Sequence, residues 1–332
     1  MKNIAVIGAG RIGKIHAGNA AAHPDLSVAY IVDPVLEAAA ALAAQTGACV
    51  VSLDDALADS SIEGVIVASS TDTHLDFSMR AIESGKAVFC EKPIDLNLDK
   101  ARGAAAVLGA ADARFFLGFN RRFDPHFSRV HDEIRSGAMG PLETLHIISH
   151  DPAPPPIDYV RVSGGLFRDM TIHDFDMARW LLGEPIEHVY AAADCLVDPA
   201  VGEAGDVDTA KIILKTSSGK ICVISNSRRS GYGYDQRIEA YCAKGLVKAG
   251  NVHATTVETW GEAGAHSAPL QNFFLDRYAQ AYRDEMAHFA EILAGARPRI
   301  GFTDGLEALA IADAAASSHA HRAPVTISTT DL

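Results

Sequence analysis

Ile4-Ala5-Val6-Ile7-Gly8-Ala9-Gly10-Arg11-Ile12-Gly13 joins a short apolar run to a G-x-G-x-x-G turn, and the helix-compatible residues Lys14 to Ala22 follow. An apolar run of this kind suits a parallel strand buried on both faces. Glycines in such a turn permit a tight bend, close approach of the backbone to a pyrophosphate, and packing of helix on strand. The helix start adds N–H groups and positive potential. Set between a strand and a helix, Gly8, Gly10, Arg11, Ile12 and Gly13 read as a dinucleotide cradle.

The next apolar run, Val28 to Val32, ends at Asp33, twenty residues beyond Gly13. A carboxylate there accepts hydrogen bonds from both ribose hydroxyls of an adenosine and repels a 2′-phosphate, so NAD is expected rather than NADP. Pro34 stands where a basic residue would serve NADP. The alternative makes Asp33 only the start of an Asp-Pro turn.

Farther out, strands at Cys49–Val51, Gly64–Ala68, Ala87–Cys90 and Phe115–Phe119 alternate with helices at Leu36–Ala44, Asp54–Ala58, Thr73–Ser84 and Asp99–Leu108. That alternation implies a doubly wound parallel sheet, an α/β Rossmann domain, with ligands at the carboxyl ends of its strands. Ser69, Ser70, Thr71 and His74 follow one such end and are expected to line the nicotinamide side of the cleft. Residues 69–72 also suit a helix cap, and both roles are compatible. Glu91-Lys92-Pro93 follows another strand end, which aims Lys92 into the cleft instead of leaving it a solvated loop lysine.

A length of 332 residues suits two domains, placed at 1–119 for dinucleotide binding and 120–332 for substrate binding and oligomerisation. The net charge of −13 argues against nucleic acid or an anionic membrane as partner. Five scattered cysteines without a C-x-x-C pair indicate neither a disulfide framework nor a cysteine metal site. They suit reduced, mostly core thiols in the cytoplasm. Four apolar residues before the first glycine are too few for a signal peptide, and no later stretch is long enough to span a bilayer.

The second half opens with a helix at His126–Ser136, closed by Gly137, and a strand at Leu142–Ser149. Prolines from Pro152 to Pro156 make a stiff loop, either bordering a pocket or simply linking elements. On a single helix, Asp169, His173 and Asp176 fall at i, i+4 and i+7 and share one face. That stripe suits a structural His–Asp pair, a metal site or acid–base catalysis. Further cysteines or histidines for a metal are not evident. Strands at His188–Cys195, Thr209–Thr216, Lys220–Ser227 and Arg237–Lys244, with a hairpin turn at Ser217-Ser218-Gly219, predict an α+β domain with a large open, mainly antiparallel sheet. A long helix over Phe274–Leu293 and a last one starting near Asp304-x-x-Glu307 complete the reading. No repeat is present, and disorder is expected only in the last few residues.

The glycine turn, Ser70-Thr71-Asp72-Thr73-His74, Glu91-Lys92-Pro93 and Gly118-Phe119-Asn120-Arg121-Arg122-Phe123-Asp124 together resemble the glucose–fructose oxidoreductase/inositol dehydrogenase (Gfo/Idh/MocA) family. The runs Gly164–Gly183 and Gly231–Arg237 are especially similar to those of bacterial inositol 2-dehydrogenases. The resemblance implies NAD-dependent oxidation of a cyclic polyol, with Lys92, Asp169 and His173 as the catalytic set. It also implies a homotetramer built through the second domain's sheet. A hydroxyl-rich ligand needs fixed donors and acceptors, for which Asn120, Arg121, His150, Asp151, Tyr159 and Tyr234 are candidates. One of Arg121 and Arg122 could instead pair with Asp124. A different inositol isomer, a pyranose sugar, or a non-catalytic NAD-binding regulator remain alternatives. A short-chain dehydrogenase does not, since none of the eight tyrosines has lysine four residues on.

Overall fold

The first six apolar runs form strands in a computed structural model that describes residues 1–110 and 112–327. They are β1 (Lys2–Ile7), β2 (Leu26–Val32), β3 (Cys49–Val50), β4 (Ile62–Val67), β5 (Ala87–Glu91) and β6 (Phe115–Gly118), paired in parallel in the order β3-β2-β1-β4-β5-β6. This order reverses direction between β1 and β4, the position where doubly wound sheets open a ligand crevice. β5 and β6 are buried along their whole length, as expected of strands covered on both faces. The first helices are α1 (Arg11–Ala22), α2 (Leu36–Thr46), α3 (Leu53–Ala58) and α4 (Thr71–Glu83). The expected helix at Asp99–Leu108 is two pieces, α5 (Leu98–Gly103) and α6 (Ala105–Leu108). They join beside Gly103, a poor helix former.

The next element is α7 (Pro125–Ser136). Asp124 caps it by accepting from the His126 and Phe127 N–H groups, and Gly137 ends it at φ +68°. The mainly antiparallel sheet is built from β7 (Leu142–His150), β8 (Ile186–Asp194), β9 (Thr209–Thr216), β10 (Ile221–Ser227), β11 (Asp235–Cys242) and β12 (Gly245–Ala249). β13 (Glu258–Gly261) and β14 (Gly264–Ser267) form a separate exposed hairpin that the sequence reading did not assign, and β15 (Val325–Thr326) edges the large sheet. The order is β12-β11-β7-β10-β9-β8-β15, and only β7 and β10 run parallel. Along these strands Leu145, Ile147, Ile212, Leu214, Ile224 and Ile238 are buried; α10 (Ile172–Leu182) packs on β7, and α7 on β11 and β12. The alternate positions Tyr190, Ile213, Ile221, Tyr241 and Leu246 are exposed on the other face.

Shorter helices α8 (Ile157–Val160) and α9 (Gly165–Asp169) precede α10, and α11 (Pro199–Glu203) follows β8. The helix expected over Phe274–Leu293 breaks into α12 (Phe274–Arg277) and α13 (Ala279–Leu293) at Tyr278. Tyr278 is 2% exposed and donates to Gln236 Oε1 at 3.1 Å, while Arg277 pairs with Asp124. α14 (Phe302–His321) begins two residues before Asp304, so Asp304 is not its cap. Asp304 instead reaches back to accept from the Gly301 N–H at 2.9 Å, half of a capping box.

The chain divides into two units: Met1–Phe123 with Ala281–Leu309, and Asp124–Gln280 with the described residues from Ala310. The first therefore ends a few residues beyond the expected 119, and residues 281–309 return to it. Their reason for returning is Gly64 on β4, where an added Cβ would meet Phe289 and Leu293 side chains at 2.8 Å. All five cysteines are free; burial pushes the Cys90 thiol up to about 12. No helix among the described residues is long and apolar enough to cross a membrane. The last few residues of the tail lie outside the described residues.

Candidate active site

In the first unit the glycine turn has the shape its sequence requires. Gly8 sits at φ +107°, and a Cβ there would lie 2.4 Å from the Ala68 carbonyl oxygen. A Cβ on Gly13 would lie 2.0 Å from the Gly8 oxygen, so both positions exclude side chains. Gly10 differs: its Cβ would meet nothing within 4 Å, leaving the space over the turn open. Gly10 is also the N-cap of α1, without a side-chain cap and without an acid in the first turn. The N–H groups of Arg11, Ile12 and Gly13 thus face no competing carboxylate from their own helix. These features fit the pyrophosphate of NAD.

Asp33 lies at the turn after β2. Oδ1 accepts from the Val35 N–H at 2.8 Å, a local turn, and Oδ2 accepts from the Ala9 N–H at 2.6 Å, which holds the carboxylate beside the glycine turn. Ser70 is the N-cap residue of α4 but its side chain makes no cap bond, and Thr71 already belongs to the helix. Ser69 Oγ instead lies 2.7 Å from Thr73 Oγ1. His74 departs from the expected lining role. It is 2% exposed, with Nδ1 2.8 Å from the Pro93 carbonyl oxygen and Nε2 3.2 Å from that of Ser69. Burial lowers its pKa, the two carbonyls oppose that shift, and the ring sits between the turn after β5 and the turn after β4.

Glu91, the last residue of β5, is buried with Oε1 2.6 Å from His16 Nε2, and its Oε2 accepts from the Lys92 N–H at 3.2 Å. It fixes the backbone at the foot of Lys92, which is half-buried. Asn120 and Arg121, each 4% exposed, lie in a 3₁₀ turn just past β6. Arg122 pairs with Asp304 at 2.8 Å, and Asp124 takes Arg277.

In the second unit the stripe Asp169–His173–Asp176 is corrected. α9 ends at Asp169 and α10 starts at Ile172, so the i, i+4, i+7 spacing does not run along one continuous helix. Asp176 is wholly buried, whereas Asp169 and His173 are half-buried. Asp169 accepts from Tyr159 Oη at 2.9 Å through Oδ1 and from Arg228 Nη2 at 3.0 Å through Oδ2. Asp151 joins them, its Oδ2 3.5 Å from Arg228 Nη1. Tyr159, Asp151 and Asp169 are thus brought together around an arginine that sequence reading missed.

The start of α10, which carries His173, is pinned by a buried polar chain. Thr171 Oγ1 donates to Asn226 Oδ1 at 2.8 Å, and Asn226 Nδ2 donates to Asp174 Oδ2 at 2.8 Å and to the Ser149 carbonyl at 3.3 Å. Ser149 Oγ continues to Gln236 Oε1 at 3.1 Å. His150 does not join this group. Strand alternation turns it to the opposite face, where Nε2 lies 2.9 Å from Ser225 Oγ and Nδ1 lies 3.9 Å from Asp235 Oδ2. Tyr234 is 8% exposed, with its ring packed edge-on to Tyr278.

Residues 2–119 match the family described as oxidoreductase family, NAD-binding Rossmann fold, and residues 127–248 match the GFO/IDH/MocA C-terminal domain. The chain belongs to the GFO/IDH/MocA oxidoreductase family. It is 46% identical to an inositol 2-dehydrogenase of Rhizobium meliloti (strain 1021), over 97% of this chain and 98% of the other. A myo-inositol 2-dehydrogenase of Thermotoga maritima is 43% identical over 95% of each chain. The crystal structure of a myo-inositol dehydrogenase from Corynebacterium glutamicum ATCC 13032 superposes with a TM-score of 0.94 at 42% identity, covering 98% of each chain. This GFO/IDH/MocA chain is an oxidoreductase, and NAD is the cofactor of its Rossmann unit.

Proposed function

We propose that the protein oxidises a secondary alcohol of a cyclic polyol to the ketone, with myo-inositol as substrate and reaction at the 2-position. The observation that carries this reading is the joint presence of Lys92, Asp169 and His173 in a chain so similar, end to end, to inositol 2-dehydrogenases. Bound NAD accepts the hydride. The protein's own task is then the alcohol proton. His173 is the general base, since imidazole titrates near neutrality. Asp169 orients that ring and stabilises its charged form. Lys92 donates a hydrogen bond to the same alcohol oxygen and favours its alkoxide character, and in the reverse direction charged His173 is the acid. Asn120, Arg121, Asp151 and Tyr159 are proposed to hold the remaining hydroxyls.

The cofactor preference for NAD over NADP rests on the Asp33 carboxylate beside the glycine turn. The assembly is proposed to be a tetramer that covers the exposed sheet face bearing Tyr190, Ile213, Ile221, Tyr241 and Leu246. Sedimentation of the purified protein checks it. Five free thiols suit a cytoplasmic enzyme. A panel of cyclitols and pyranoses with NAD and with NADP, followed by absorbance of the reduced cofactor, tests the whole reading. Turnover is expected to be fastest with myo-inositol and NAD. No turnover of any polyol would favour a non-catalytic NAD-binding regulator.

A further inference from the structure

We propose that Arg228 is a positioning residue of the reaction centre, whose guanidinium fixes Asp169 and Asp151 in one array. The inference rests on the catalytic assignment of Asp169 above. Arg228 lies one residue past β10 and is 4% exposed, with its backbone N–H bonded to the Asp208 carbonyl at 2.8 Å. Its two terminal nitrogens face different carboxylates, Nη2 on Asp169 at 3.0 Å and Nη1 on Asp151 at 3.5 Å. Burial opposes the charge, but Asp169 and Asp151 outweigh it and hold the pKa above the ordinary arginine value. A planar fork serves two acceptors at fixed angles, which a lysine ammonium cannot reproduce.

The helix break gives this array its purpose. Because α9 stops at Asp169 and α10 starts at Ile172, helical geometry alone does not hold Asp169 at a set distance from His173. The guanidinium and the Tyr159 hydroxyl supply the missing restraint, one on each carboxylate oxygen. The plainer reading makes Arg228 a counter-ion that only keeps buried acids tolerable. Buried ion pairs contribute little net stability, yet removing one partner is costly, so a loss of stability alone does not separate the two readings.

Steady-state kinetics with myo-inositol and NAD on R228Q, R228K, D169N and the double variant D169N/R228Q separate them. R228Q is expected to lose kcat by roughly 10–100-fold, the loss of a hydrogen bond to a charged group, with NAD affinity unchanged. R228K is expected to fall between R228Q and the unaltered protein. The double variant is expected to be no slower than D169N alone, because Arg228 acts through Asp169. Losses that multiply in the double variant, or full kcat in R228Q, would overturn the positioning role. Full kcat in R228K would overturn it too, and R228K keeps the test open if R228Q does not fold. Full activity in D169N would instead sink the catalytic reading of Asp169 itself, whatever Arg228 does.

Discussion

Asp33 stands out in the sequence because the glycine turn fixes where a ribose-binding acid would fall, about twenty residues on in this type of fold. Its carboxylate also supports the turn backbone through Ala9. Asp33→Ala is therefore expected to cost NAD roughly 10-fold or more in kcat/KM and to narrow its advantage over NADP. An unchanged ratio between the cofactors would remove Asp33 from the account. Glu285 illustrates what single residues hide. The sequence places it mid-helix among alanines and aromatics, without a sign that it is wholly buried. Burial, and then the nearby Glu91 charge, raise its pKa well above the usual 4.5, and its carboxyl oxygens have no hydrogen-bond partner among the described residues. A carboxyl with a raised folded pKa contributes stability below pH 4.5 that is lost as pH rises toward the folded value. Glu285→Gln cannot ionise, so its stability relative to the unaltered protein should improve from pH 5 to pH 8 in urea unfolding. A difference independent of pH would show that Glu285 is not held neutral.

At the scale of elements, the parallel strands and β7 to β11 were readable from apolar runs and alternation, whereas β12 and β15 were not, and Gly137 and Gly219 marked a helix end and a hairpin turn, at φ +68° and +93°. Helix continuity was not readable. Residues 165–182 carry a helical pattern throughout, yet Thr171 bonds out to Asn226 from β10, and the helix restarts there with Asp174 held by the same amide. The partners are 55 and 52 residues apart in sequence, so no local window reveals them. The same holds for Arg228, 59 residues from Asp169. Asn226→Leu is expected to destabilise the fold by about 1–3 kcal/mol, since buried Asp174 loses its amide donor and Thr171 its acceptor. It should also slow turnover, because α10 carries His173. An unaltered urea midpoint together with an unaltered rate would mean that the network does not hold α10 in place.

For the whole molecule, the division into a nucleotide half and a sheet-bearing half followed from the alternation of elements ending near residue 119. The return of residues 281–309 to the first unit did not follow, because an apolar helix face announces burial without naming its partner. Gly64 supplies the physical reason: a bare patch on β4 sized for Phe289 and Leu293. Lys92 and His173 are proposed to act on the same alcohol oxygen. The most direct test is to compare Lys92→Ala and His173→Ala for NAD binding by fluorescence titration and for turnover of myo-inositol. Both variants are expected to bind NAD with unaltered affinity while turnover falls by roughly 100-fold or more, as befits loss of a group that handles the transferred proton. Near-normal turnover in either variant would contradict the account.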